Sequence, residues 1–496
     1  MSERFHHQEV EWVHRYDEAR ALLWQMRTGK TRTVVEHACA LHDSLSINGV
    51  LVVAPNGVHR QWAEEQIHIW GRGQQNGFAW RYSDPDNMKK WADWRIKIRT
   101  EPEALHWLCI NMEILIKPQI QKLVQWFKKE VGPAMLVVDE SHHHARPGAK
   151  RTAVARSLGR IFEYRRILTG TAMENSPFQA FSQFEILERG ALGHTTFGGT
   201  SKKSRASRHP CPTCGMHCRG FKHEFATWRQ ERRGGHLVSV LDEYQNLDIL
   251  KQRMATYSSV VLRSDCEDLP ELMRDHRIAE MEPEQLKWWN AVKNQELENI
   301  ERFGLEKVFD GGAALVKLQQ IEGGFWRHSD GKIQQIVPLN KNPKMLILSD
   351  EIEWHDGQVI VWFEYLHEID AALKFLDGTG IKCGVFSGRE PFRDRHLAAF
   401  KAGEVRVLLA QPRAGGEGRD MSVASKIVWY SQTPDAIVRT QANERATKMG
   451  GKSVQLVDLI TPVSKYFLSI TDKKSTLADD VARRGLQMIL SNLERG

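Results

Sequence analysis

Three groups of residues in this 496-residue chain have the types and spacing for chemistry. The first is Gly29-Lys30-Thr31, which follows a short apolar run ending at Trp24 and precedes a helical pattern from Thr33 to Leu41. Strand, loop and helix in that order aim backbone N–H groups and a helix N-terminus at an anion. In such a loop Lys30 reaches the β- and γ-phosphates of ATP and Thr31 offers its hydroxyl to Mg²⁺. Arg27, Thr28 and Arg32 complete the cradle. Alone, Gly29-Lys30 is equally compatible with an ordinary surface turn, and Trp24 stands where the strict phosphate-loop pattern has glycine. Gln8, some twenty residues earlier, carries an amide at an offset suited to reading adenine.

The second group is Asp139-Glu140-Ser141-His142, delivered by the apolar run Met135 to Val138. Ligands of open α/β sheets bind outside the carboxyl ends of the strands. A carboxylate pair there is placed to hold Mg²⁺, through Asp139, and to polarise a water. Two isolated acids after a strand would read as surface residues, but a phosphate loop lies about 110 residues before these. The third group is Cys211-Pro-Thr-Cys214 with Cys218 and His223. A Cys-x-x-Cys turn directs both thiolates at one point, which predicts a structural Zn²⁺ with these four ligands. His209 and His217 compete for the fourth place, and reduced, solvated thiols are the alternative.

The elements that must position these groups are legible as buried strands alternating with helices. Gly49 to Pro55, Leu105 to Leu115, Met135 to Val138 and Arg166 to Thr171 are apolar runs ending in polar loops. They predict a doubly wound parallel sheet. The pattern returns from Pro343, with strands at Gln358–Phe363, Cys383–Phe386, Val405–Leu409, Lys426–Tyr430 and Leu456–Ile460. Between the two blocks, Leu237–Leu262 and Glu282–Phe303 read as helices, the second with a Trp288-Trp289 pair assigned to packing rather than base stacking. Phe5–Arg20 and Leu477–Leu493 read as amphipathic helices at either end.

Composition bounds the class. The chain is 41% hydrophobic and 26% charged, with no apolar run near the roughly 20 residues of a membrane helix. An N-terminus without a signal-peptide core and an odd number of cysteines point to a cytoplasmic protein without a disulfide framework. Net charge is +7, and nine Lys/Arg against two acidic residues between Thr200 and Arg233 account for all of it. That local excess is the footprint expected of a polyanion binder, the alternative being a solvated loop.

Taken together, the motifs resemble superfamily-2 helicases of the Swi/Snf-like ATPase branch. MRTGKT is similar to motif I, Val52–Trp62 to motif Ia, Asp139–His142 to the Asp-Glu-x-His motif II, and Leu168–Pro177 to motif III and its continuation. Val260–Pro270 resembles the branch's hinge, VIVWF motif IV, Ala414–Gly418 motif V and QANERATKMG motif VI. The short form resembles small members encoded by bacteriophages, which would place the chain in a bacterial host's cytoplasm. The resemblance implies two RecA-like parallel-sheet lobes, with a zinc-bearing insertion and a helical segment between them. The boundaries expected are lobe 1 at 1–189, basic insertion at 190–236, helical or hinge segment at 237–341, lobe 2 at 342–470 and a terminal helix at 471–496.

In that scheme ATP sits between the lobes. Lys30 and Thr31 hold phosphates and Mg²⁺, Asp139 supports Mg²⁺, and Glu140 orients and deprotonates the attacking water. Gly416 and Gly418 face the nucleotide from the second lobe, and Arg445 acts as arginine finger with Lys448 beside it. Thr169, Gly170 and Thr171 couple hydrolysis to nucleic acid. The branch has a second arginine where this chain has Lys448, and lysine lacks the planar two-pronged contact. The expected partner is DNA, held in the inter-lobe groove and by the basic insertion 200–233. The activity implied is ATP-driven translocation on duplex DNA. The alternatives are a strand-separating helicase, or a zinc-containing nucleic-acid-binding module with weak ATPase.

Overall fold

A computed structural model describes residues 6–15, 18–25, 28–82, 84–170, 173, 176–198, 220–233, 236–262, 266, 272–294, 311–414, 419–447 and 453–472. The chain divides after Cys266 into two compact units.

In the first unit, α1 (His6–Arg15) leads to β1 (Arg20–Trp24) and α2 (Lys30–Asp43). β2 (Gly49–Ala54) is followed by a helical stretch in three parts: α3 (Val58–Gln61), a π-helical turn (Trp62–Gln66) and α4 (Ile67–Trp70). Next come β3 (Gln75–Ala79), α5 (Asn87–Thr100), β4 (Leu105–Asn111), α6 (Pro118–Val131) and β5 (Ala134–Asp139). α7 (Lys150–Leu158), β6 (Tyr164–Leu168), α8 (Gln179–Leu187) and α9 (Phe221–Glu224) follow. β7 (Ala226–Arg233) and β8 (His236–Tyr244) pair as an antiparallel ribbon, and α10 (Leu247–Tyr257) leads into β9 (Ser258–Val261).

Seven of these strands form one parallel sheet in the order β3-β4-β2-β5-β6-β1-β9. β2 and β5 are buried at every residue, because helices cover both faces and both side-chain sets must be apolar. β1, which carries the phosphate loop, lies between β6 and β9. Parallel pairing puts the C-terminal ends of β1, β5 and β6 side by side.

The second unit comprises β10 (Leu272–Ile278), α11 (Pro283–Asn294), α12 (Gly311–Glu322), the hairpin β11 (Phe325–Arg327) and β12 (Ile333–Gln335), and α13 (Pro343–Glu353). It continues with β13 (Val359–Trp362), α14 (Leu366–Leu376), β14 (Cys383–Phe386), α15 (Arg393–Lys401), β15 (Val407–Ala410), β16 (Lys426–Trp429), α16 (Ala436–Glu444) and β17 (Val454–Ile460). Its six-stranded parallel sheet has the order β10-β17-β16-β13-β15-β14.

Two expectations are corrected. Leu237–Leu262 is not one helix: its first part is β8, whose valines alternate and pair with β7 at Glu231↔Val238 and Arg229↔Val240. The boundary expected at 237 therefore falls inside the ribbon. Nor does a helical segment stand apart from the second lobe at 237–341. β10 pairs along its whole length with β17, so α11 and α12 are an insertion within the second unit. β10 escapes a sequence reading because LMRDHRI is an edge strand, exposed at most positions, and its partner is about 180 residues away. Trp288 is buried against Trp326 and donates to Glu284, in keeping with packing. The Leu477–Leu493 helix lies outside the described residues. Among the described residues no helix is long and apolar enough to cross a membrane.

Candidate functional site

The phosphate loop is built by local rules. β1 ends at Trp24, whose indole N–H donates to Ser259 of β9 at 2.9 Å and whose ring is wholly buried. That anchor occupies the place where the strict motif has glycine. Gly29 caps α2 with φ +89°, and a Cβ there would run into the Gln8 amide. The loop requires glycine on both counts. Gln8 Nε2 donates to the Gly29 carbonyl at 3.1 Å, and His7 Nε2 lies 2.8 Å from the Thr28 carbonyl. α1 thus clamps the loop backbone with two adjacent side chains; the His7 half of the clamp had no signal in the sequence.

Lys30 opens α2, and its ammonium donates to the carbonyls of Trp24 (2.6 Å) and Gln25 (3.0 Å). Thr31 is half-buried one residue on. The first N–H groups of α2 have no partner within the helix, which suits them to phosphate oxygens. Arg32 differs from expectation: its guanidinium is buried, donates to Glu36 at 3.0 Å and lies 4.7 Å over the Trp70 ring. Its side chain is committed to the unit's interior, so what it can offer a phosphate is its backbone N–H.

Asp139 ends β5 and is buried. Its Oδ1 accepts from Glu140 N at 3.0 Å and its Oδ2 from the Trp62 indole at 2.9 Å. Glu140 adopts φ +48°, a left-handed conformation rare outside glycine, asparagine and aspartate. That strain is of the kind that collects at active sites. His142 Nδ1 lies 3.2 Å from Glu140 Oε2 and 3.1 Å from the Thr169 hydroxyl. Burial alone would raise the Glu140 pKa. The His142 hydrogen bond and the charges of His142, Lys30 and His143 outweigh it and hold the carboxyl below its ordinary range. Ser141 donates to Gln183 of α8 at 2.7 Å, which fixes the turn.

The first unit therefore brings Gln8, Thr28, Gly29, Lys30, Thr31, Asp139, Glu140 and Thr169 to the ends of neighbouring strands. A lysine, a threonine hydroxyl, a carboxylate and helix N–H groups are the donor set that ATP and Mg²⁺ require, so the residues fit both. Arg27 and Thr171 lie outside the described residues.

In the second unit Arg445 follows α16 directly. It is buried, with its guanidinium 5.6 Å over Trp362 of β13, and its carbonyl accepts from Met421 N. The expectation for Arg445 is an arginine finger reaching the nucleotide; here the side chain packs in the interior of its own unit. Gly416, Gly418 and Lys448 lie outside the described residues. The sequence reading missed Arg439, which makes two 2.8 Å bonds to Asp458 and lies 4.7 Å over Trp429.

Of the zinc ligands, Cys211, Cys214 and Cys218 lie outside the described residues. His223 sits in α9 with its ring 6.1 Å from that of Trp228. Among the described residues no group of three or more His, Cys, Asp or Glu is placed to hold a metal.

The SNF2-related domain matches residues 6–320. An uncharacterized ATP-dependent helicase of Mycoplasma pneumoniae is 24% identical over 225 residues, 44% of this chain and 21% of that protein. The DNA excision repair protein CSB of Oryza sativa subsp. japonica is 20% identical over 479 residues, 88% of this chain and 37% of that protein. The chain thus spans well under half the length of these relatives. Among solved structures, the Sulfolobus solfataricus SWI2/SNF2 ATPase core in complex with dsDNA covers 100% of this chain and 96% of its own, at 17% identity and a TM-score of 0.39. With a phosphate loop and an Asp-Glu-x-His turn on one parallel sheet, and the domain match extending over most of its length, the chain belongs to the SNF2-related family of superfamily-2 nucleic-acid-dependent ATPases.

Proposed function

We propose that this protein is an ATP-driven motor that moves on DNA, with duplex as the preferred track. The observation that carries the reading is the linked set Asp139, Glu140, His142 and Thr169 at the ends of β5 and β6, with the Lys30 charge from the end of β1 acting on Glu140. ATP with Mg²⁺ supplies a γ-phosphoryl group for in-line attack by water. Lys30 and Thr31 hold the phosphate end, Asp139 holds the metal, and Glu140 takes the water's proton. His142 sits between Glu140 and Thr169, so the state of the carboxylate is felt by the loop after β6. The roles that the family resemblance implies for Gly416, Gly418, Arg445 and Lys448 belong to this reading, and Arg445 would have to leave its place over Trp362 to take up its own.

DNA as partner is supported by the name of the excision repair relative and by the basic segment Thr200–Arg233. Its described end is the ribbon β7–β8, which displays exposed Arg229 and Arg232. A two-stranded ribbon is narrow enough to enter a major groove. Cys211, Cys214, Cys218 and His223 form a structural zinc knuckle within the same segment. Phe221 and Lys222, which lie between Cys218 and His223, donate their backbone N–H groups to the carbonyls of Thr196 and Phe197. The setting is a bacterial cytoplasm, that of the host for a phage-encoded chain.

The test is the ATPase rate against a panel of single-stranded, duplex and branched DNA and RNA. Stimulation by duplex DNA, lost in Lys30→Ala and Glu140→Gln, is expected. No hydrolysis with any nucleic acid would overturn the reading, and unwinding of a forked duplex would replace translocation by strand separation.

A further inference from the structure

We infer that Trp62 is a positioning residue for the Mg²⁺-holding carboxylate of Asp139, and that the π-helical turn it opens is the device that aims its indole. The inference rests on the reading of Asp139 as the metal-holding residue. Asp139 has two oxygens and both are engaged within the protein, one by its neighbour's backbone N–H and the other by Trp62 Nε1 at 2.9 Å. The donor comes from 77 residues away and is itself 1% exposed. An indole N–H donates only, carries no charge and cannot ligate a cation. It therefore fixes the carboxylate's rotation without competing for the metal or adding a second charge beside it. Partners of this kind typically alter metal affinity 10- to 100-fold when removed.

The helical geometry around Trp62 supports this role. Val58, His59, Trp62, Ala63 and Ile67 are all buried, so residues four apart must stay on one face through two turns. A regular α-helix of 3.6 residues per turn would let such a set drift around its axis. The wider π turn at Trp62–Gln66 keeps it on the sheet, and single π turns of this sort recur at functional sites. The indole's far edge rests on Trp107 of β4, with ring centroids 6.5 Å apart, which leaves the N–H pointing at Asp139. A phenyl ring would fill most of this space, leaving a small cavity, and would not make the hydrogen bond.

Trp62→Phe keeps an aromatic ring, though a smaller one, and removes the donor. Mn²⁺ binding to the ADP-bound full chain, read by electron paramagnetic resonance, should weaken about 10-fold. ADP affinity in EDTA should stay near wild type, while the melting temperature falls with the cavity that the smaller ring leaves. Trp62→His supplies the control, because imidazole Nε2 occupies the same ring position as indole Nε1. It should bind Mn²⁺ more tightly than Trp62→Phe even if it melts lower. Unchanged Mn²⁺ affinity in Trp62→Phe, an equal loss of ADP affinity in EDTA, or equal weakening in both variants would overturn the inference. Asp139→Asn separates the two readings: if it leaves Mn²⁺ affinity unaltered, the assignment of Asp139 itself fails.

Discussion

The two units carry buried charge for different ends. In the first, beside structural pairs such as Arg20–Glu11 and Arg32–Glu36, charged groups gather at the C-terminal ends of β1, β5 and β6 and bond to one another or to loop carbonyls. In the second, they lie between elements and hold them together. Glu322 accepts from Thr461 and from Val463 N, and Arg439 closes on Asp458. Glu368 accepts from Ser431, while the Lys344 ammonium lies 4.7 Å over the Tyr430 ring. Similar parallel sheets thus support a reaction site in one case and an inserted helical pair in the other. Motif resemblance alone does not separate these: Arg445 sits in a stretch resembling motif VI yet packs on Trp362, whereas Trp62 ends the stretch resembling motif Ia and donates to Asp139.

The contrast predicts which substitutions cost activity and which cost stability. Lys30→Ala and Glu140→Gln should lower DNA-stimulated ATPase on the order of 10³-fold or more, about 4 kcal/mol of barrier, without altering the melting curve. Near-wild-type turnover in either would break the distinction from the first unit's side. Arg439→Ala should do the reverse. Removing one partner of a buried pair leaves the other uncompensated, at about 3–5 kcal/mol, and chemical denaturation should show the loss.

Glu368 sharpens the contrast through pH. Burial first, opposed by the Lys344 charge and the Ser431 hydrogen bond, raises its pKa to about 7. The folded carboxyl keeps its proton where the unfolded one, near 4.3, has lost it. Its contribution is fully present below the unfolded value and is lost as pH rises through the folded one. The second unit should therefore lose about 3 kcal/mol of stability between pH 4 and 7 on this account. Glu368→Gln should flatten that slope, and an unchanged slope would show that the carboxyl titrates normally. The smallest effect concerns the ribbon's root, where Tyr244 donates to Ser176 at 2.9 Å and Phe178 stacks on Trp228. Tyr244→Phe should cost about 1 kcal/mol, read by thermal melting.

Sequence patterning reveals central strands far better than edges. β2, β5, β13 and β16 are read to within a residue or two, because both faces are buried and the runs are nearly continuous. β3, with the sequence QNGFA, is half-polar and an edge strand, and carries no comparable signal. β10 fails for the same reason and took a domain boundary with it. The site is legible where it is local: Gly29, Lys30 and Thr31 share a loop, and Asp139 and Glu140 a turn. It is illegible where folding brings distant residues together, as with His7 on Thr28 and Trp62 on Asp139. Gln8 is the exception, since its offset from Lys30 already pointed to it, although the bond it makes is to Gly29.

The bonds from Lys30 to the carbonyls of Trp24 and Gln25 fix more than the position of one cation. A buried ammonium without acceptors would carry a severe desolvation cost. The backbone leaving β1 meets that cost, so the loop's charge and the loop's course are set together, and a change at the end of β1 is felt at the ammonium.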